Sequence, residues 1–585
     1  MSSESTETTT VDIEQPSSKE IVTVETLSPV PVTKSIDPAD VVKVPLEKHQ
    51  VTMVCFGLCI GLFMASLDST IVGASLKSVV EDLGRQELIP WIGSAYLMSA
   101  AAVGALYGKF ADLFGRKWVW ITSLVLFEIG SIICGAAPNM IFLIAGRMVA
   151  GLGGGGIFAM AYVVIADIVS PNNRGKYQTL VTLTYGGASC IAPLVGGVFA
   201  DFASWRWSFY INLPLGVIAV ASSLYSMKFP TPPGTFYEKA KRVDALGVFF
   251  LFTAVAALVA ALQLGGSTFA WSSVPIISLF LIWAVLTACL IYVELNVAVE
   301  PIIPAKIFVN NSVAAILITA FALGAFFFAG LYYMSLFFQV IHGDTSTQAG
   351  VKSIAFVAGY IILSVTTGFT VSKTGRYKIF FYIGAGFATA GIALTSSMTR
   401  STTLFEKLAY LFIFGLGGGV LVSLRMLAAQ FSVPVELISI ASAVTQTMGK
   451  LGGSVGVAIS GTIFNNHLLS VADSLPTLSV ALVELSQKGY SVDPTDVLQV
   501  SQLLINVSGL SVNGTTANEE LVGAFGDAFR VVYLTLLLPL GAAIHAENIQ
   551  IVGGKEQIEN TAVVGANCFL ASMIYIGLAV FSYWQ

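Results

Sequence analysis

The stretch "GRMVAGLGGGGIFAMAYVVIAD", Gly146 to Asp167, places Gly151, Gly153 and Gly156 in the order G-x-G-x-x-G. That is the spacing of a dinucleotide-binding turn, which would make the chain a nucleotide-using enzyme. Such a turn needs a β-strand before it, a helix after it and an acidic residue about 20 positions on, all within one βαβ unit. Here the sequence on both sides is continuously apolar and long enough for a helix. Open strands are not tolerated in lipid, whereas glycines on a membrane helix let neighbouring backbones approach closely. The two readings are decided by the rest of the chain.

Of 585 residues, 55% are apolar and 11% charged, against about 25% charged in soluble domains. A chain this apolar has the bilayer as its natural solvent. Apolar runs of about 20 residues, each enough to cross ~30 Å of hydrocarbon, recur near 51–73, 90–110, 118–136, 141–165, 177–199, 207–227, 245–264, 274–293, 312–338, 350–371, 379–397, 407–430, 441–464 and 526–544. With the N-terminus inside, the cytoplasmic loops hold thirteen Lys and Arg against seven on the other side, which orients the set with both ends inside.

Residues 1–45 are rich in Ser, Thr, Glu and Val, with no basic segment leading into a short apolar one. They read as a disordered cytoplasmic tail without a cleavable signal, leaving the first apolar helix to direct insertion. The long loop 465–524 falls outside and carries two sequons, at Asn506 and Asn513, as candidate glycosylation sites. The segment 546–585 is atypical: its apolar run 561–584 is open between a fifteenth span, an interfacial segment and a stretch foreign to the mature protein.

An internal repeat organises the remainder. "GKFADLFGRK" from Gly108 is echoed by "GFTVSKTGRYK" from Gly368, "GLGGG" at Gly151 recurs at Gly415, and "GGASCIAPLVGG" from Gly186 has a looser echo in "GGSVGVAISG" from Gly452. The three marks keep their order and nearly their spacing. Removing the spans near 245–264 and 274–293 leaves six helices per half. The expected organisation is a six-helix half over 46–230, an inserted two-helix segment over 231–305, and a second six-helix half over 306–545. Two similar halves about a midplane site make a transporter architecture, and the glycine run becomes a packing helix.

These residues resemble the major facilitator superfamily, in particular its fourteen-spanner drug:proton antiporter branch, which includes fungal efflux pumps for toxins and other secondary metabolites. The resemblance covers about residues 50–545. "GKFADLFGRK" is similar to the superfamily's loop 2–3 signature, "LDSTIV" from Leu67 to the acidic signature of helix 1, "RMVAGLGGGGIF" to the helix 4 motif and "GGASCIAPLVGG" to the helix 5 motif associated with antiporters. "WRWSFYINLPLG" from Trp205 and "FFQVIHGDTSTQAGV" from Phe337 also match the branch. Two departures touch coupling rather than fold: Ala192 precedes Pro193 where glycine is usual, and Gly73-Ala74-Ser75-Leu76-Lys77 replaces the usual continuation of the helix 1 signature. The resemblance implies an all-α membrane protein of the major facilitator fold. It also implies a helix 5 motif formed by Gly186, Gly187, Pro193, Gly196 and Gly197.

Ionisable side chains inside a span are costly and are functional candidates by default. Asp68 is the first, sharing one helix face with Gly57 and Gly61; a buried carboxyl exchanges protons near neutral pH, although a helix-end cap is the plainer alternative. Arg147, by the resemblance, assists proton coupling by biasing a carboxylate; otherwise it snorkels to the interface. Glu128 either pairs within the bundle or stays protonated. Asp112, Arg116 and Lys117, framed by Gly108 and Gly115, form the loop 2–3 cluster, which by resemblance latches the cytoplasmic side in the outward-facing state. Arg425 and Lys450 are expected to snorkel to the cytoplasmic interface; should either reach the cavity, it would point to an anionic substrate group. Tyr332, Tyr333, Gln339, Gln430 and Gln446 are polar and aromatic candidates for a cavity suited to amphipathic molecules, although aromatic residues near helix ends also serve as interface anchors.

The chain has no H-E-x-x-H, paired C-x-x-C or P-loop sequence, its four histidines are scattered, and its six cysteines sit in apolar runs. No catalytic residue, metal, cofactor or nucleic-acid partner is therefore expected. The expected partners are a small-molecule substrate, protons and the lipid bilayer, with a monomer as the working oligomeric state. The reading is a proton-antiport exporter of small hydrophobic or amphipathic molecules (a toxin, secondary metabolite or drug), placed in the plasma membrane, or alternatively the vacuolar membrane. The alternatives are an importer of a siderophore-type or other small solute, and a transporter-like membrane sensor.

Overall fold

The computed structural model describes residues 46–472 and 516–541, apart from 86–87, 231, 266–268, 299, 303–310, 343, 375–376 and 538–540. The tail 1–45, both sequons and the run 561–584 lie outside the described residues. The helices are α1 (Lys48–Leu83), α2 (Ile89–Phe114), α3 (Arg116–Gly135), α4 (Met140–Ile168), α5 (Pro171–Phe202), α6 (Trp207–Tyr210), α7 (Asn212–Ser226) and α8 (Phe236–Lys241). They continue with α9 (Ala245–Leu264), α10 (Val274–Asn296), α11 (Asn311–His342), α12 (Ser346–Thr374), α13 (Lys378–Ser396), α14 (Leu404–Phe431), α15 (Ile438–Ala472) and α16 (Thr516–Thr535). Among the described residues there is no β-strand, only one isolated bridge between Gly265 and Phe269.

Local chemistry sets several of these boundaries. Asn139 caps α4 by accepting from the Phe142 amide at 2.9 Å, and Asp244 caps α9 at the Gly247 amide at the same distance. Thr403 and Glu406 form a reciprocal box at the start of α14, satisfying amides that have no partner inside the helix. Proline opens α2, α5 and α10, where its missing N–H costs nothing. A single residue, Gly115, separates α2 from α3; its φ of +91° is one that L side chains rarely adopt.

Among the described residues, twelve spans are long and apolar enough to cross a membrane: α1 to α5, a sixth running from α6 through α7 (Trp207–Ser226), and α9 to α14. The expected fourteen is therefore not reached on length and composition. The two remaining runs correspond to α15 and α16. α15 is 35 residues long but carries a series of buried Ser and Thr, including Ser442, Thr445, Ser454 and Ser460, which lowers its hydropathy. α16 starts ten residues before the expected span, which adds Glu519 and Glu520 to Asp527 and Arg530, and 538–540 and 542–544 of the expected run lie outside the described residues.

The packing repeats as the sequence does. In the first half α1 lies on α5 while α2 and α3 lie on α4; in the second, α11 lies on α15 while α12 and α13 lie on α14. Between the halves, α2 meets α15 and α5 meets α12, which is the same contact taken twice. α9 and α10 pack on each other, and α9 also on α2. α10 is buried over only 11% of its most apolar window, so the inserted pair is peripheral and the two halves build the centre.

The glycine run now has its physical account. A Cβ at Gly151 would collide with Ser99 and the Tyr96 carbonyl on α2, and one at Gly153 with Phe127 and Ser123 on α3. In the second copy, Gly415 meets Phe356 and Tyr360 on α12, and Gly417 meets Ala388 on α13. Where burial of apolar surface gives no net drive in lipid, such close approach supplies dispersion contact instead. No strand precedes the run, and the dinucleotide reading is excluded.

Candidate transport site and gate

The functional residues of the first half converge on one buried pair. The Arg147 guanidinium on α4 donates to the Asp68 carboxylate on α1 at 2.6 Å, with side-chain exposures of 1% and 0%. Its Nε donates to the Ile92 carbonyl on α2 at 3.1 Å. Asn212 at the start of α7 donates through Nδ2 to Asp68 Oδ1 at 3.3 Å and to Ser131 Oγ on α3 at 3.1 Å. Tyr96 lies 4.5 Å below the guanidinium, with Phe209 at 5.9 Å on another side, so aromatic faces complete the cation's surroundings. Helices α1, α2, α3, α4 and α7 are thus tied through one carboxylate.

Two expectations are settled by this arrangement. Asp68 is not a helix-end cap, and Arg147 does not snorkel. Glu128 on α3 differs: neither carboxyl oxygen has a hydrogen-bond partner among the described residues, and both are buried. Its carboxyl abuts Gly216 of α7, where a Cβ would overlap it. Asn212 and Gly216 were not singled out in the sequence, although both lie in "INLPLG" (Ile211–Gly216), part of a block that resembles the family; a lone amide opening an apolar run was the available signal.

At the charge-rich ends the loop 2–3 residues assemble as a network. Arg116 donates to Asp112 at 2.5 Å and to Asp167 at 2.7 Å, and through Nη2 to Ser439 Oγ of α15 at 3.1 Å. The one-residue turn at Gly115 leaves Arg116 four positions after Asp112 and paired with it. Gly108 faces Ala443 and the Ser439 carbonyl, so α2 and α15 touch at the network. Lys117 points away, to the Leu224 carbonyl at 2.9 Å. Asp167, which ends the opening stretch, is an addition the spacing did not flag, as is the buried Arg174 that donates to the Ala166 carbonyl at 2.9 Å.

Along the other seam, α5 meets α12 over its length. Gly175 sits against Gly368, Gly186 against Ile361 and Val357, and Gly197 against Thr347. Of the remaining helix 5 residues, Gly187 faces open space, and the Gly196 carbonyl accepts from Ser75 at 3.5 Å; Pro193 falls within α5. Gln178 donates across the halves to Gln430 at 2.8 Å, and Gln430 donates to Ser442 at 3.1 Å.

The cavity candidates separate. Gln430 is buried at this seam. Tyr333 is buried against Phe464 and Phe529 inside the second half. Tyr332 is 54% exposed, its ring edge-to-face with that of Tyr333 at 5.2 Å between centroids. Gln339 bonds Ser335 at 3.2 Å within α11, and Gln446 is half-buried on α15.

Arg425 and Lys450 depart from expectation. Arg425 is 8% exposed, donates to the Ala320 carbonyl of α11 at 3.2 Å and lies against Gly449. Lys450 sits 4.3 Å over the ring of Phe158, on α4 of the other half. The reason is helix polarity. Side chains lean toward their own helix N-terminus, so Arg425, six residues before the end of α14, is carried back toward the middle of the helix and away from that end.

Outside the spans, Glu300 pairs with Lys109 at 2.8 Å and with Arg242 at 2.5 Å. Partial burial pushes its carboxyl up, but the hydrogen bonds and charges of these two cations outweigh that and hold it below the usual range. Hydrogen bonds from Arg206 and Trp205 similarly lower Asp82. Metal ligands do not cluster among the described residues.

Two pseudo-equivalent helix bundles meeting along matched seams define a multi-pass membrane transporter. The chain belongs to the Major Facilitator Superfamily, whose family model matches residues 58–457. It is 34% identical over 439 residues to the MFS-type efflux pump MFS1 of Trichophyton rubrum, covering 74% of this chain and 82% of that one. With the efflux pump aflT of Aspergillus parasiticus it shares 33% over 432 residues, covering 73% and 84%. Among solved structures, the human organic anion transporter MFSD10 superposes with a TM-score of 0.53 at 13% identity, covering 85% of this chain and all of that one. A bacterial homologue of the lysosomal transporter Spinster, inward-facing and unoccupied, gives 0.51 at 12%, covering 86% and 98%. At such identities these two establish the fold alone.

Proposed function

We propose that the protein exports small hydrophobic or amphipathic organic molecules (toxins, secondary metabolites or drugs) from the cytoplasm by proton antiport with alternating access, in the plasma membrane. The observation that carries this reading is the buried Asp68–Arg147 pair with the unpartnered Glu128 carboxyl on the neighbouring helix. A charge pair inside a membrane protein is costly, and here it joins elements of one half that must move as a unit. A buried carboxyl with no donor is accommodated at least cost as the neutral acid. Asp68 stays bonded to Arg147 until a change at this cluster or a movement of α4 separates them. Protonation at this cluster then alters how α1, α3, α4 and α7 hold together, which is a differential interaction able to bias two states.

The contacts from Arg116 to Ser439 and from Gln178 to Gln430 support a cycle in which the cytoplasmic ends of the halves part to admit cargo and close again. The efflux-pump names of the relatives support the direction. The test is efflux of a panel of labelled hydrophobic compounds from energised vesicles, with and without a protonophore. Loss that is accelerated by the protein and collapses with the gradient is the expected result. Gradient-driven accumulation would instead establish an importer, and ligand binding without flux a sensor.

A further inference from the structure

Among the described residues, two cations between the halves have no carboxylate set against them. Arg147 has Asp68, and Arg116 has Asp112 and Asp167. For Arg425 the neighbours that bear on its charge are the hydroxyls of Tyr162, Tyr185 and Tyr360, and for Lys450 no described carboxylate does so. Lys450 rests instead on the face of Phe158, whose own neighbour at 6.1 Å is Tyr185. These side chains come from both halves: Phe158, Tyr162 and Tyr185 from α4 and α5, Tyr360, Arg425 and Lys450 from α12, α14 and α15. Gly449 leaves room for the guanidinium, which a side chain there would meet.

We propose that this place takes the anionic oxygen group of the cargo, a carboxylate or an ionised acidic phenol carried on an aromatic body. The proposal rests on the reading of the chain as a small-molecule transporter. Uncompensated cations at membrane depth are expensive and mark sites where a ligand supplies the missing charge. Arg presents a planar fork of donors matched to a carboxylate, and Lys a point charge beside it. The tyrosine hydroxyls add neutral donors, and the Phe158 face gives an aromatic body a surface to stack on. Because the partners belong to different halves, an anion bound here bridges the halves, and its departure removes that bridge.

The test uses the full chain, purified, with 1-pyrenebutyrate and its uncharged methyl ester as probes. Binding is read by fluorescence and transport in vesicles with an imposed proton gradient. The wild type is expected to bind the carboxylate at least about ten-fold more tightly than the ester, as one charge-assisted contact supplies. Lys450→Gln and Arg425→Gln should each lower that preference about ten-fold, Lys450→Arg should retain most of it, and the exposed-site control Lys241→Gln should leave it unchanged. Gel filtration and melting identify any variant that fails to fold, in which case the Lys450→Arg and wild-type ratios still decide. Equal affinity for acid and ester, or binding of neither, overturns the anion site. Ester export that collapses with the gradient in every variant would sink the anion site and leave the exporter standing. Charge-dependent binding without flux would do the reverse.

Discussion

Asp68 and Arg147 are 79 positions apart in the chain and 2.6 Å apart in space, and the bonds to Ile92, Asn212 and Ser131 all run through that pair. Removing one partner leaves a buried charge without its counterion, which costs about 3–5 kcal/mol, whereas removing both costs less. Asp68→Asn is therefore expected to lower the melting temperature more than Asp68→Asn combined with Arg147→Gln. Both variants should lose proton dependence of efflux. Melting curves decide the first part; a double variant less stable than the single would show that Arg147 stabilises the fold without Asp68.

Glu128 offers the complementary experiment, because its carboxyl oxygens make no hydrogen bond among the described residues. Glu128→Gln keeps the shape against Gly216 and has no bond to lose, so stability should change by no more than about 1 kcal/mol. If Glu128 carries the proton, efflux should continue down a substrate gradient but no longer respond to pH. Efflux that keeps its full pH response in this variant assigns the proton to Asp68.

The fold was legible in the sequence because lipid imposes few solutions. Apolar length located the helices, and α9 over 245–264 matches its expected range outright, whereas α1 continues ten residues past its expected end and α16 begins ten before its expected start. The repeat was legible because glycine is the one residue that permits the approach of α4 to α2 and α3, so its spacing survives in the second copy. What could not be read is partner choice across distant positions. Asn212, Asp167 and Gly216 acquire roles only when α7 and α4 are brought beside Asp68 and Arg116. Snorkelling was expected for Arg425 because distance from a helix end was considered without helix direction.

The repeated glycines give a paired prediction. Gly153→Val on α4 and Gly417→Val on α14 each force a branched side chain into the backbone of the neighbouring helix, α3 or α13. Overpacking of this kind costs about 1–3 kcal/mol or more. Both should reduce the yield of folded protein and the melting temperature by similar amounts, whereas Gly187→Val, facing open space, should not. Unequal losses from the two equivalent sites would show that the halves do not share one packing scheme.

The cytoplasmic network predicts a shift between states rather than a loss of fold. Arg116→Ala removes the donor to Asp112, Asp167 and Ser439 together, while Ser439→Ala removes only the contact between halves. Both should raise the accessibility of the α2–α15 seam, read as thiol labelling of Ala443→Cys from the cytoplasmic side. Ser439→Ala should do so with melting unchanged within about 1 kcal/mol. Labelling that rises in neither variant would remove Arg116 from any role in closing this end.

At the opposite end of the bundle, a histidine gives a pH dependence whose sign is fixed. Lys407 Nζ lies 2.8 Å from His342 Nε2, and an ammonium has only donors, so that nitrogen must be the acceptor. Partial burial, then the charges of Lys407 and Lys352 with a lesser contribution from Arg400, push His342 down to about 4, against a small opposing effect of Asp344. An unfolded chain takes up its proton near pH 6.5, whereas the folded one refuses it until about pH 4. The unfolded state therefore binds more protons across that window, and stability falls as pH is lowered through it. Above pH 6.5 this group contributes no slope. His342→Gln retains an acceptor for Lys407 and cannot titrate, so the wild type should lose more thermal stability than the variant between pH 7 and pH 4.5. Melting both proteins at these two values decides it, since every other ionisable group is common to the two. Identical losses in the two proteins would mean that His342 protonates freely in the folded state and that Lys407 turns aside to let it.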